Sequence, residues 1–424
     1  MSRPRIVVTA SGAVCAAGMD PQAILAALVA GRSAIGPIGL WDTSGWPVRV
    51  AGEVPDYNPR ALVEDRKLHK LIRRTDLFGL YAAGQAIEQS GLPAHRATLA
   101  DDAAAIYSDR SGVYVGSGGG NHQNQYDYLP LLSAAKGSLP EFGRQLNDSV
   151  NPMWLLRTLP NNVLGHIGIR HGLKGPNACI TNHSIGGLLA VIEAMEALRH
   201  GEADRAVAVG HDTPIEPQLV LYYHCVGLIA SEALRPFDAR HDGSLFGEGA
   251  AALMLETEAS AQERGAAVLG EVLGGAASCE AEGLLAIRED GEGVARAIGD
   301  ALADAGIAPE EVGMVVAHGN GTPASDASEA AALREVFGAS MPPVTAFKWA
   351  FGHLIAAAGI LDAALALHAL RQGVVPGVAP LEALARDCAG LAISARPQAP
   401  RSKIALVICR GFGGTNAALV VRAP

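Results

Sequence analysis

A chain of 424 residues is long for one domain, so two domains or a duplicated fold is the expectation. With 49% hydrophobic residues, 18% charged residues and 50 glycines, it can build a large buried core cut by many tight strand-to-helix turns. The net charge of −10 argues against a nucleic-acid surface, while leaving room for a local basic patch that meets an acidic partner.

In chain order, residues 5–9 read as a buried strand entering a small-residue turn at Ser11-Gly12-Ala13. Its basic start and short apolar run resemble a secretion signal, but Thr9 and Gly12 interrupt the run, which favours a strand. Residues 21–30 form a helix closed by Gly31. Residues 33–70 carry Pro37, Pro47, Pro55 and Pro59 and lead into Arg66, Lys67, Lys70, Arg73 and Arg74. That basic cluster is either a solvated helix face or a docking patch for such a partner. Residues 76–90 are an Ala-rich helix, and 112–116 a second strand ending in Gly116, Gly118, Gly119 and Gly120. No GxGxxG or GK[ST] follows, so this run lacks a nucleotide-binding signature. Residues 122–162 are polar, aromatic and irregular, which suits an insertion at about 120–165 that caps a site or meets a partner.

Residues 175–204 read as a short apolar strand, a sharp turn at Asn182-His183-Ser184, and a helix stopped at Gly201. Ser184 then stands at a helix N-terminus, where unpaired N–H groups and the helix dipole stabilise negative charge. A strand at 205–210 and an irregular connection through 219–224 follow. A charged, Gly-rich turn comes next, with Arg235-Pro-Phe-Asp238 and His241 to Gly249, and then a strand at 250–255. After a polar helix at 258–264 a second half restarts: strands at 268–273, 312–317 and 344–348, helices at 291–305, 328–336 and 354–372, and closing strands at 405–409 and 417–421. Strands alternating with helices mean an α/β fold with a largely parallel sheet in each half.

Six cysteines (Cys15, Cys179, Cys225, Cys279, Cys388 and Cys409) are scattered without a CxxC pair, so they read as reduced thiols, with no metal site. No run reaches the roughly 18 apolar residues of a membrane span, and the expectation is a cytoplasmic chain without membrane contact. Three polar clusters follow strands: His318 to Pro323, Lys348 to His353, and Gly411 to Asn416. Ligands of α/β sheets bind at such strand ends. Two His, a Lys and a Gly-rich loop beside a helix-capping Ser supply a base and oxyanion donors. An α/β-hydrolase triad is excluded by order, since the last His is His368, in mid-helix.

Four of these stretches, in order, resemble motifs of the β-ketoacyl-acyl-carrier-protein synthases, the condensing enzymes of the thiolase fold: RPFD…GEGA at Arg235 to Ala250, His318 to Asp326, Lys348 to His353, and GFGGTN at Gly411 to Asn416. The resemblance covers nearly the whole chain. It implies a five-layer αβαβα body of two similar halves, 1–257 and 258–424. It also implies a dimer, either a homodimer or a heterodimer with a paralogous ketosynthase, and acyl chains carried on the phosphopantetheine of acyl carrier protein, with no resident cofactor. By motif position, His318 and His353 act on the thioester, Lys348 and Glu329 hold that His pair, and Phe412 gates the pocket. The N–H groups of Ser184 and Phe412 form the oxyanion hole, and Asn320, Thr322, Gly414 and Thr415 lie along the pantetheine arm.

The nucleophile departs from the pattern. Counting from Pro176 and back from Gly201, the family's reactive Cys falls on Ser184, while Cys179 lies within the preceding strand as a core residue. His183, Asn320 and Arg410 are further departures. An acyl-serine is an oxygen ester, less prone than a thioester to carbanion attack. Two expectations follow: an acyl-handling enzyme that transfers, decarboxylates or condenses, or a non-catalytic partner resembling a chain-length factor.

Overall fold

The run Ile6–Cys15 is buried along its whole length and forms the first strand, β1. The computed structural model describes residues 3–119 and 122–424, with residues 122–127 and 147 as backbone only. Five strands of the large sheet lie in the N-terminal half: β1, β2 (Ser111–Ser117), β3 (Asn177–Ile180), β4 (Arg205–Asp212) and β5 (Gly249–Thr257), in spatial order β3-β2-β4-β5-β1. The C-terminal half repeats this with β6 (Gly270–Cys279), β7 (Met314–Val316), β8 (Pro343–Thr345), β9 (Ala392–Ile393), β10 (Ile404–Gly411) and β11 (Thr415–Arg422). Apart from the edge strand β9, its order β8-β7-β10-β11-β6 copies the first half strand for strand. In both halves the first three strands of the spatial order are parallel and the last two antiparallel. The halves join where β1 pairs with β6 at Ile6, Val7 and Val8.

Helices fill the layers around these sheets. α1 (Arg74–Gln89) covers β1, β4 and β5 on one outer face, and α3 (Glu292–Ala305) and α4 (Pro323–Phe337) lie outside the second half. Between the sheets run α2 (Gly186–Arg199) and α5 (Ala358–Gln372), packed against each other and against strands of both halves. The result is the five-layer α/β arrangement expected from the resemblance. The segment Ile355–Gln372 has the length and apolar character of a membrane span, which the sequence reading did not find, but 83% of it is buried here as a core helix. Each fully buried Leu or Ile on it contributes about 1.5–3 kcal/mol.

Some elements differ from the sequence expectation. Ser11-Gly12-Ala13 is not a turn but the middle of β1. Gly12 is there because α1 crosses the strand closely; a Cβ at Gly12 would stand 2.1 Å from the Ala82 carbonyl oxygen. The stretch expected to be irregular is helical, as His122–Ala134, Leu139–Ser149 and Trp154–Thr158. The connection through Leu219 is also a helix, Pro217–Cys225, which places Tyr223 in the interior. Lys348 begins a short helix, Lys348–Phe351, rather than ending a strand. Cys179 is only half-buried, because β3 is the sheet edge, and its thiol donates to the Pro160 carbonyl at 3.3 Å. Of the basic cluster, Arg66, Lys67 and Lys70 are exposed, but Arg73 is buried and Arg74 is bound to Glu248 and Tyr57. Gly120 lies outside the described residues.

Candidate active site

The turn after β3 is tight. His183 has φ +43 and opens a short 3-10 turn, His183–Ile185, that leads into α2 and buries Ser184. Holding a non-Gly residue there costs on the order of 1–3 kcal/mol, so the surroundings must impose it. The corresponding turn of the second half has the same angle at Ile355. Glycines set these approaches: a Cβ on Gly116 would lie 2.3 Å from the Gly186 carbonyl carbon, so α2 starts directly over β2, and one on Gly187 would lie 2.4 Å from the Ala356 carbonyl oxygen, so the two turns meet.

Ser184 Oγ lies between two imidazoles, 2.9 Å from His183 Nδ1 and 3.1 Å from His353 Nε2. His183 Nε2 is 2.8 Å from the Tyr223 hydroxyl, and its ring stacks on Phe412 at 4.4 Å. The rings of His318 and His353 meet edge-on at 5.1 Å. Burial pushes both of these imidazoles well below their ordinary range, helped by the nearby charge of Lys348. Burial lowers His183 to about 4. All three are therefore neutral at neutral pH.

The supports differ from the expected ones. Lys348 Nζ donates to Asp362 Oδ2 at 2.8 Å, inside the core. Burial pushes the Asp362 carboxyl up, opposed by Lys348. Glu329 does not hold an imidazole; its two oxygens accept the backbone N–H groups of His318 and Gly319 at 2.6 and 3.0 Å. Burial raises Glu329 to about 7 against these two bonds. The orientation of His318 comes from the Arg410 N–H, which donates to its Nδ1 at 3.2 Å and leaves the ring proton on Nε2. His353 is seated by its backbone, which bonds Leu245 and Gly247 of the RPFD…GEGA stretch. Asp326 ties that stretch to the His318 loop, accepting from the N–H groups of Phe237 and Gly321 and from His241.

A pocket reaches Ser184, His318 and His353 past Asn320, Thr322, Gly414 and Phe412. Thr415 does not line it, because its hydroxyl donates to the Phe412 carbonyl at 3.1 Å and closes the turn. The Phe412 N–H points to His183 Nδ1 at 3.4 Å rather than into an open oxyanion hole. Arg410, also on the wall, is buried and bonds Glu280, Asn416 and the Ser325 carbonyl. His183 and Tyr223 separate this pocket from an inner cavity lined by Thr75, Asp76, His211 and Asp212. His368 is remote from the pocket and bonds Ser11. No motif in the sequence marks Tyr223 or Asp362, and the one signal for His183 is its departure from the resembled pattern.

Residues 3–261 match the family model described as Beta-ketoacyl synthase, N-terminal domain, and residues 269–382 the one described as Beta-ketoacyl synthase, C-terminal domain. The chain is 32% identical to the 3-oxoacyl-[acyl-carrier-protein] synthase 2 of Coxiella burnetii, over 99% of each chain. It is 34% identical to the tetracenomycin polyketide synthase ketoacyl synthase beta subunit of Streptomyces glaucescens, over 100% of this chain and 99% of that protein. A solved structure of the ishigamide ketosynthase/chain length factor superposes with a TM-score of 0.88 at 29% identity, over the whole of both chains. Fold, site and similarity agree, and the chain belongs to the β-ketoacyl synthase family.

Proposed function

We propose that this protein is an acyl-carrier-protein-dependent acyl-handling enzyme of type II fatty acid or polyketide biosynthesis, with Ser184 in the place of the nucleophile. The observation that carries this reading is the pair of contacts from Ser184 Oγ to His183 and His353, at the end of a pocket open to a ligand. A hydroxyl held between two neutral imidazoles is equipped to lose its proton and accept an acyl group. His318, with its Nε2–H available, and His353 polarise a thioester carbonyl and stabilise the enolate left when a malonyl unit loses carbon dioxide. Asn320, Thr322 and Gly414 lie where a phosphopantetheine arm enters, with Phe412 at its inner end. Lys348, held by Asp362, acts on this set through its charge beside His318 and His353, Glu329 through the His318 loop, and Thr415 through the Phe412 turn. The division into halves at 257/258, a dimeric assembly, a cytoplasmic location and the lack of a resident cofactor belong to the same reading.

A second reading has specific support. Ser184 departs from the reactive Cys, and the His183, Tyr223 and Phe412 rings close the pocket's inner side, as suits a chain-length-factor-like partner. Similarity to a ketoacyl synthase beta subunit and to a ketosynthase/chain length factor supports it too. Intact-protein mass spectrometry with malonyl- and acyl-loaded carrier protein separates the two. An acyl adduct on Ser184 that Ser184→Ala abolishes, or carbon dioxide loss from the malonyl carrier, supports the enzyme. Neither product from the protein alone, with turnover appearing only beside a Cys-bearing ketosynthase, supports the partner.

A further inference from the structure

The hydrogen-bond directions around Ser184 distinguish its two imidazole neighbours. The Phe412 N–H donates to His183 Nδ1, so that nitrogen is the acceptor and the ring proton sits on Nε2, donated to the Tyr223 oxygen. A Ser184 hydroxyl turned towards His353 would leave two lone pairs facing each other across the 2.9 Å between Oγ and His183 Nδ1. The Ser184 O–H therefore donates to His183 Nδ1, as the closer of two donors sharing that lone pair, the other being the Phe412 N–H at 3.4 Å, and the His353 Nε2–H donates to Ser184 Oγ. Tyr223, His183, Ser184 and His353 form one directed chain, with His183 positioned to receive the proton and His353 to stabilise the alkoxide.

We propose that His183 is the general base that makes Ser184 an acyl-accepting nucleophile, and that the resulting acyl-serine is released to water, giving the protein a thioester-hydrolysing activity. This rests on the enzyme reading above. In the first step Oγ attacks the thioester carbonyl, its proton passes to His183 Nδ1, the C–S bond breaks, and that proton goes to the leaving sulfur. In the second, water attacks the ester and gives a proton to Nδ1, which returns it to Ser184 Oγ as the free acid leaves. Stacking on Phe412 and the hydrogen bond to the Tyr223 hydroxyl fix the His183 ring for both transfers.

Single-turnover acylation by an acyl-pantetheine thioester, followed by mass spectrometry from pH 5 to 9, tests this. His183→Gln is expected to slow acyl-serine formation by about 10²-fold or more at neutral pH, within the usual range for a general base. Its remaining rate should climb roughly tenfold per pH unit as hydroxide replaces the base, whereas the native protein stays nearly level. The titratable side chains facing His183 are Tyr223 and His353, with His318 behind His353 and Asp212 across the inner cavity. All four remain in the variant, so comparison with the native protein cancels their titration. A His183→Gln rate equal to the native one, or lower by the same factor at every pH, overturns the proposal. If that variant does not fold, Tyr223→Phe carries the test: it keeps the ring against Phe412 and Phe246, loses only the hydroxyl that His183 bonds, and is expected to lose several-fold, and an unchanged rate overturns the proposal. Acyl-serine that persists without free acid overturns the release step alone. A native protein that takes no acyl group overturns the enzyme reading itself.

Discussion

Arg410 puts a buried guanidinium on the wall of the pocket, and the surrounding residues are built for it. Its Nε meets Asn416 Oδ1 at 3.0 Å, one terminal nitrogen meets the Ser325 carbonyl at 2.9 Å, and the other Glu280 Oε1 at 3.0 Å. Glu280 is buried and holds the Arg288 N–H with its second oxygen, so the pair anchors the 280–288 loop beside the pocket. Removing one partner strands the other charge. Arg410→Met should lower unfolding free energy by about 3–5 kcal/mol, and Arg410→Met with Glu280→Gln should recover part of that loss, as read by denaturant titration. Glu329 is a second such residue. Glu329→Gln puts an amide N–H₂ against a backbone N–H of the His318 loop, a loss of about 1–3 kcal/mol. The native carboxyl is raised to about 7 from 4.5, so its folded state holds the proton more tightly and its contribution falls as pH rises through 7. The Tm gap between the native protein and Glu329→Gln should be widest near pH 5 and narrow by pH 8.

At the scale of elements, the site depends on how closely two helix-opening turns approach. The turn at His183 and its counterpart at Ile355 are brought together by Gly187 and Gly210, where side chains would run into the backbone at Ala356. Gly187→Ala forces α2 away from the Ala356 carbonyl, which a Cβ would approach to 2.4 Å. Overpacking of this kind costs about 1–3 kcal/mol, and here it also shifts Ser184 relative to His353. The expected result is a modest drop in stability with a larger fractional loss of Ser184 acylation. Equal losses in both would mean that the turn geometry does not matter to the chemistry.

At the scale of the molecule, the repeat of one strand order in both halves places the two helix-opening turns against each other where the central helices begin. It also leaves β3 as an edge, with Asn177 on a groove shared with Ile169, which is 81% exposed. An open edge with an apolar neighbour is a template for pairing. Native mass spectrometry at micromolar concentration should show a dimer, and Ile169→Asp should weaken it by about tenfold or more, the effect of losing one good interface contact. An undiminished dimer would place the interface elsewhere.

Much of this was legible in the chain itself. Apolar runs such as Ile6 to Val8 and Ala250 to Leu255 mark strands because they are buried on both faces, and Gly-bordered polar stretches mark strand ends. The motif spacing located Ser184, His318, Lys348 and His353 before any geometry. Local pattern did not reveal how β1 continues through Ser11-Gly12-Ala13, because only the crossing of α1 explains the glycine. Nor did it reveal that Lys348 answers to Asp362, that Arg410 orients His318 through its backbone, or that His183 shares the Ser184 hydroxyl. Sequence determined which residue types were available, since periodicity and composition are local properties. At the site their pairing joins groups 229 positions apart, as between Phe412 and His183, and only tertiary packing could decide it.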